Sequence, residues 1–332
     1  MKKSMKTLFL GSFGFGNLGD ELCLIEAMQA FPSTEAWAFS NDPDFTQKSV
    51  AGLKGFLPVV TPGRSELINL RPDRVVLGGG GVGFFPSIRD MLHWMYTLHR
   101  EGAECHIHNI GVAHMKDLSW AKAPEVQNVL ANLKSCSVRD DVSWFCIRGW
   151  PGAPKTTITY YPERNLTSDE TLLNTLPKGR PLLGISITGQ KQMRQALMAN
   201  IEKITGELEN FKKHLIVPII STVSAEDPEE DDISGFMGFR DIFLSEYDVV
   251  CEDFLDRRWW RNNMTALGLR GVISALSCLM TQRKHNLIHA IGTGVPAIGI
   301  FPNEDDSIAR IFFTLRGYMP SGSRQLSLNK LR

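Results

Sequence analysis

What the 332-residue chain lacks narrows its function before any motif is read. It carries no net charge, with 36 Lys and Arg against 36 Asp and Glu. A nucleic-acid binder would show a basic excess or stripe, so no nucleic-acid partner is expected; a small anion needs only two or three local cations. The six cysteines are Cys23, Cys105, Cys136, Cys146, Cys251 and Cys278, and none forms a C-x-x-C pair. They read as free thiols in a reducing compartment. No apolar run reaches 18 residues, so no membrane span is expected. The start, MKKSMKTLFLG, is basic and then apolar, but glycines and Asp20 interrupt what a secretory signal would need. The expectation is a cytoplasmic protein. Internal repeats and low-complexity tracts are missing too.

What is present is a long alternation of strand-like and helix-like segments. At about 150 residues per domain, 332 residues suggest two domains. In the first half KTLFLG, AWAFS, DRVVLGGG, CHIHNIGV, SCSVRD and KTTITYY read as strands. Helical patterns lie between them, as over Leu18–Ala30 and Ser87–Arg100. Short apolar runs alternating with helices predict a parallel sheet covered on both faces. Residues 162–180 are polar and rich in Thr, Asn and Pro, and read as a linker. A second series follows: PLLGISITG, a helix over Gln190–Phe211, HLIVPIIS, YDVVCE, VISALSCLM and VPAIGI. The fold class is therefore α/β, with two doubly wound Rossmann-like domains, 1–162 and 180–315, and a C-terminal tail, 316–332. Open parallel sheets bind ligands at the carboxyl ends of their strands. Two domains facing a cleft would make the chain GT-B-like, an analogy of fold alone. The acidic run Ser224–Gly235 reads as a solvated loop opening a helix.

Four stretches carry candidate chemistry. In the first, Gly14-Phe15-Gly16-Asn17-Leu18-Gly19 fits the bare G-x-G-x-x-G pattern. The next strand ends in Ser40 and Asn41 instead of an acid, and Asp20 would repel a phosphate. A helix cap by Asn17 or Asp20 is the alternative. In the second, Gly78–Gly81 follow a buried strand, which suits either close approach of a ligand or tight packing. In the third, SVRDDVSWF, Arg139 ends a strand; it can pair with Asp140 to fix a loop, or face an anionic substrate. The fourth, CLMTQRKHNLIHAIGTGVPAIGI, is the sharpest. Arg283, Lys284 and His285 precede a helix, where the dipole already favours an anion. His289, one turn on, reads as a packing residue. His106 and His108 share one face of a strand but lack a third ligand, so no metal site is assigned.

Taken in order, these four stretches resemble the polysaccharide pyruvyl transferase family. The matching residues are Gly14 to Asp20 with its N-x-G-D core, Gly78–Gly81, Ser137-Val138-Arg139-Asp140, and Arg283-Lys284-His285 with Gly294-Val295-Pro296. The resemblance implies a GT-B-like fold. It also implies transfer of a pyruvyl group from phosphoenolpyruvate, as donor substrate without a cofactor, to a sugar of a cell-surface or exopolysaccharide glycan, forming a ketal. Some members act on lipid-linked sugars. By carry-over Arg283 and His285 would hold phosphoenolpyruvate. Two departures stand out: YYPERN, where the family often has Asp-Pro, and FPNEDD around Asn303, where a basic residue is common.

Ketal formation needs one acid and one base. The expected catalytic pair is His285 as anion ligand and acid, with Asp20 as base on the acceptor hydroxyl. Arg283, Lys284, Arg139, Asn17, Gly16, Gly79 and Gly80 complete the expected binding set. FLDRRWWRNNM, with Trp259 and Trp260 among arginines, reads as one core and one exposed tryptophan, the exposed one free to stack on a sugar or rest on a membrane near a lipid-linked acceptor. Two further readings stay open. One is a GT-B glycosyltransferase using a nucleotide sugar, whose ribose would find an acid at Glu304, Asp305 or Asp306. The other is a non-catalytic relative in a glycan-assembly complex.

Overall fold

A computed structural model of the chain describes residues 5–50, 68–83, 86–224, 227–302 and 307–328. The chain divides into two compact units, Met1–Glu163 and Arg164–Arg332. In the first, β1 (Lys6–Phe13), β2 (Glu35–Ser40), β3 (Arg74–Gly78), β4 (Glu104–Ile110), β5 (Ser135–Val138) and β6 (Thr157–Ile158) form a parallel sheet ordered β2-β1-β3-β4-β5-β6. Leu8 is in register with Trp37 on one side and Val75 on the other. Leu8, Leu10, Val75, Val76, Leu77 and Ile107 are wholly buried, as strands covered on both faces require.

The helices of this unit start on side-chain caps that the sequence supplies. Asn17 accepts the Gly19 N–H to open α1 (Leu18–Ala30), and Asp42 accepts the Phe45 N–H ahead of Pro43 to open α2 (Pro43–Ser49). α3 (Ser87–Arg100) turns Ile88, Met91, Leu92, Met95 and Leu98 inward at helical spacing. α4 (Pro124–Asn132) and α5 (Asp141–Arg148) complete the set described, the latter capped by Asp140.

The second unit repeats the plan. β7 (Leu182–Ser186), β8 (Leu215–Pro218), β9 (Cys278–Thr281), β10 (Ala297–Phe301) and β11 (Arg324–Ser327) form a parallel sheet ordered β11-β10-β9-β7-β8. Its helices are α6 (Lys191–Met198), α7 (Ile201–Leu208), α8 (Asp232–Phe243), α9 (Arg257–Asn263), α10 (Ala266–Ser274), α11 (Lys284–Thr293) and α12 (Ser307–Thr314). In each unit the second strand lies on one side of the first and the third on the other. Strand order therefore reverses between β1 and β3, and again between β7 and β9. Beside such reversals the loops leave in opposite directions and open a crevice at the carboxyl ends of the strands.

Five expectations are corrected. The single helix over Gln190–Phe211 is two, because Asn200 leaves helical geometry and its side chain donates to the Ala196 carbonyl in competition with the backbone. YDVVCE reaches the sheet only through one bridge, Ile216 with Val249, before Cys251 turns left-handed. VISALSCLM is strand only from Cys278; its first part is the end of α10, which Thr265 caps. Residues 164–180 are no free linker: the Asp169 N–H bonds Leu267 O, and Leu172 and Leu176 are buried in the second unit. The tail contributes β11, in register with β10 from Ile298 to Phe301.

Candidate functional site

At the reversal of the first unit, the β1–α1 and β3–α3 turns meet. Gly14 and Gly16 have φ of 80° and 71°, and Phe15 between them is 61% exposed. Asn17 works twice: its Oδ1 accepts the Gly19 N–H, and its Nδ2 donates to Asp20 Oδ2 at 2.9 Å. Gly79 and Gly80 are also left-handed, at 94° and 71°. The Asp20 carboxylate fills the space where a Cβ of Gly80 would stand. Gly80 is thus doubly required, by backbone angle and by contact. The nearly buried Asp20 spans both turns. The structure therefore brings together Asn17, Asp20, Gly79 and Gly80, with Gly16 on the same loop.

A neighbouring residue escaped the sequence reading. Glu21 is wholly buried, accepts the Gly14 N–H at 2.8 Å and the Thr46 hydroxyl at 3.0 Å, and leaves Oε2 without a partner. Burial, helped by Asp20 and Asp42 against those two bonds, pushes its carboxyl from an ordinary 4.5 to about 8. An acid in the first turn of a helix ordinarily reads as a solvated one. Only the apolar run after it, Leu22 to Ile25, hints otherwise.

Arg139, at the end of β5, adjoins that pair of turns, since the Gly111 N–H bonds the Gly80 carbonyl. It forms an ion pair with Asp140. Its guanidinium covers Gly111, stands 5.7 Å from the Tyr161 ring centre, and has Nε 3.4 Å from Asp140 Oδ2. Asp140 in turn accepts the Ser143 N–H at 2.7 Å and the Tyr161 hydroxyl at 2.8 Å. Burial opposes the Asp140 charge, but Arg139 and these bonds outweigh it and hold the carboxyl below its ordinary range. Arg139 Nε and Nη1 are buried without a hydrogen-bond partner. Asn109, Tyr160 and Tyr161 adopt left-handed φ here, and Asn109 Nδ2 donates to Glu163 Oε2. His106 and His108 both pack edge-on against Phe31, and His108 bonds Glu26 at 2.8 Å.

At the reversal of the second unit, β7 ends in Ser186 and β9 in Thr281, and α11 starts between Arg283 and Lys284. The cations expected to await phosphate are differently disposed. Arg283 donates Nε to Asp232 at 2.6 Å, Nη1 to Glu230 at 2.9 Å and Nη2 to the Glu230 carbonyl at 2.6 Å. Burial works against its charge, and the two carboxylates overcome it, raising its pKa. Asp232 also accepts from Ser221 N and Oγ and from Thr222 N, all within 3.1 Å. Arg283 is thus already paired: the acidic run, read as solvated, turns Asp232 inward, and Asp232 with Glu230 neutralises it. Asp231, likewise buried, takes Arg257 in a two-point pair at 2.9 and 2.7 Å.

Lys284 is half-buried on the first turn of α11, and His285 beside it is 8% exposed. Asn286 was not foreseen. Wholly buried, it donates to Ser186 Oγ at 2.8 Å and Ser221 Oγ at 3.2 Å, tying β7 to the β8 loop. Its Oδ1 has no partner, and neither do Thr188 Oγ1, Thr222 Oγ1 and Gln282 Nε2, all buried at this same edge. His289 is fully buried, and burial beside Arg270 drives its pKa down to about 3, as a packing residue. Trp260 is core, with Nε1 donating to Ile220 O, while Trp259 leans on Phe254 at 5.2 Å. Asn303 and the acids Glu304, Asp305 and Asp306 lie outside the described residues.

No protein-family model and no curated protein sequence matches the chain. Solved structures do. A protein of Listeria monocytogenes assigned as a UDP-N-acetylglucosamine 2-epimerase superposes with TM-score 0.54 at 12% identity, over 92% of this chain and 82% of that one. The UDP-GlcNAc 2-epimerase of Methanocaldococcus jannaschii gives 0.51 at 12% identity, over 98% and 89%. At this identity the likeness shows the fold: two doubly wound units of the GT-B class. No helix among the described residues is long and apolar enough to cross a membrane.

Proposed function

We propose that the chain is an enzyme of glycan biosynthesis that takes a sugar from a nucleotide-sugar donor. One observation carries this reading. Four buried polar atoms without partners lie at the carboxyl edge of the second sheet, where Arg257 and Arg283 are already paired with acids. Such a set waits for a ligand rich in hydroxyl and amide groups, because an unsatisfied buried polar atom costs about 1–3 kcal/mol. A nucleotide sugar offers such groups along its length. Phosphoenolpyruvate offers a phosphate and a carboxylate and no hydroxyl. Its match would have been a free Arg283. The diphosphate of the donor takes the N-terminal N–H groups of α11, with Lys284 beside them. The fold likeness to two nucleotide-sugar enzymes agrees with this choice.

In the first unit Asp20 then acts on the acceptor. A sugar hydroxyl attacking the anomeric carbon must give up its proton, and a carboxylate oriented by Asn17 and open to a glycine turn is a base for it. A second reading, pyruvyl transfer from phosphoenolpyruvate, is favoured by a separate observation. All four family-like motifs sit at carboxyl ends of strands: after β1, β3, β5 and β9. In that reading Asp20 keeps its role and His285 supplies the proton to the methylene carbon.

Thermal unfolding with UDP-GlcNAc, ADP and phosphoenolpyruvate in parallel separates the two. A ligand at 100 times its dissociation constant adds about 2.7 kcal/mol. Stabilisation by a nucleotide sugar or nucleotide supports the first reading; stabilisation by phosphoenolpyruvate alone replaces it with the second. No shift with any of them favours the non-catalytic alternative.

A further inference from the structure

Beside this edge the second unit holds a cavity of about 170 Å³ between the end of β7, α6 and α8. Its floor is apolar, from Leu197, Phe239 and Phe243, with the two phenyl rings 4.7 Å apart and tilted by 34°. Its neutral polar side chains are Ser234, whose hydroxyl donates to Asp231, and Thr188. The Thr188 backbone N–H is used by Gln282 Oε1 at 3.1 Å, but its hydroxyl is buried and unpartnered. Arg194, exposed and in no ion pair among the described residues, borders the opening.

Gly238 is the informative residue. It sits inside α8, where glycine costs about 0.5–1 kcal/mol relative to alanine. Packing does not ask for it. The nearest atoms a Cβ there would meet across from the helix are those of the Arg194 guanidinium, at 3.7 to 3.9 Å, an ordinary contact. Its φ is not left-handed either. What the missing side chain preserves is a slot beside that guanidinium at the cavity wall.

The volume limits the occupant. Pockets that enclose a whole drug-sized ligand run to about 300–1,000 Å³, so this one takes a single ring system. The walls ask for a flat one, since guanidinium groups stack on planar rings. The hydroxyl asks for hydrogen-bonding atoms on its edge, and serves as donor or acceptor. A hydrocarbon ring would leave Thr188 unsatisfied, at the cost already noted. We infer that this cavity is a nucleobase pocket, holding the base of the donor nucleotide. The inference rests on the nucleotide-sugar reading.

Calorimetric titration of the full chain with UMP, AMP, GMP and ribose 5-phosphate, all monophosphates, tests it. At least one of the three nucleotides binds tenfold or more tightly than ribose 5-phosphate, which lacks a base. Gly238→Leu, which fills the slot, removes that preference and leaves ribose 5-phosphate binding and the melting temperature unchanged. Thr188→Val, nearly the same shape without the hydroxyl, weakens the preferred nucleotide alone and serves should the leucine variant melt early. A preference that survives both substitutions overturns the pocket while the nucleotide reading stands. If no nucleotide outbinds ribose 5-phosphate in the wild type, pocket and reading fall together.

Discussion

The two strand-order reversals share a topology and differ in what they offer a ligand. The first is built of backbone: left-handed glycines on two turns and one carboxylate, Asp20, pressed between them. The second is built of side chains, with cations closed into pairs with Asp231, Asp232 and Glu230, and neutral atoms left over. In the proposed reaction the glycine turn gives room and a base, as an attacking hydroxyl needs. A wall of unsatisfied amides and hydroxyls gives recognition. One architecture thus carries two chemistries, chosen by loop residues the sheet itself does not constrain.

The sharpest way to sharpen the contrast is pH, because only the first turn rests on a buried carboxyl without a cation. Glu21 is raised from 4.5 to about 8, so the folded state binds a proton that the unfolded chain has lost in that window. Its stabilising contribution is full below about pH 4.5 and fades as pH rises through about 8, by at most about 5 kcal/mol. Urea denaturation across that range should show stability falling toward alkali, with the slope flattened in Glu21→Gln. A wild type as stable at pH 8.5 as at pH 5 would refute the buried acid.

In the second unit, Asp232→Ala removes the carboxylate from a buried pair and strands Arg283. The expected loss is about 3–5 kcal/mol, read as a lower urea midpoint. A loss below about 1 kcal/mol would mean that the pair is solvated. Gly80→Ala should cost about 1–3 kcal/mol through its left-handed angle, and displace Asp20 as well. Turnover should then fall further than stability does; equal stability and turnover to wild type would break the link between the two turns. Smallest is Asp248→Asn. Its pair with Arg180 is 43% and 68% exposed, so less than about 1 kcal/mol should separate the variant from wild type in the same denaturation assay.

Much of this architecture is written in local pattern. The apolar runs of β1, β3, β7 and β10 and the caps Asn17, Asp42 and Asp140 suffice to read two parallel-sheet units. Strand order is not local, and neither is the fate of the tail, whose β11 gains meaning only beside β10. The site divides the same way. The turn from Gly14 to Asp20 and the start of α11 announce themselves by glycine and charge. The partners that decide their chemistry lie 50 residues or more away in some cases. Asp232 reaches Arg283 across 51 positions, and Asn286 reaches Ser186 across 100. In sequence, an Asp in an acidic run looks solvated; only the fold reveals that it spends the charge of Arg283.

Hydrogen–deuterium exchange on the full chain with saturating UDP-GlcNAc tests the central claim most directly. Protection should appear at residues 186–190, 221–222 and 281–286, the carboxyl edge of the second sheet, and not with phosphoenolpyruvate at equal concentration. Protection of those segments by phosphoenolpyruvate and not by the nucleotide sugar would contradict the account.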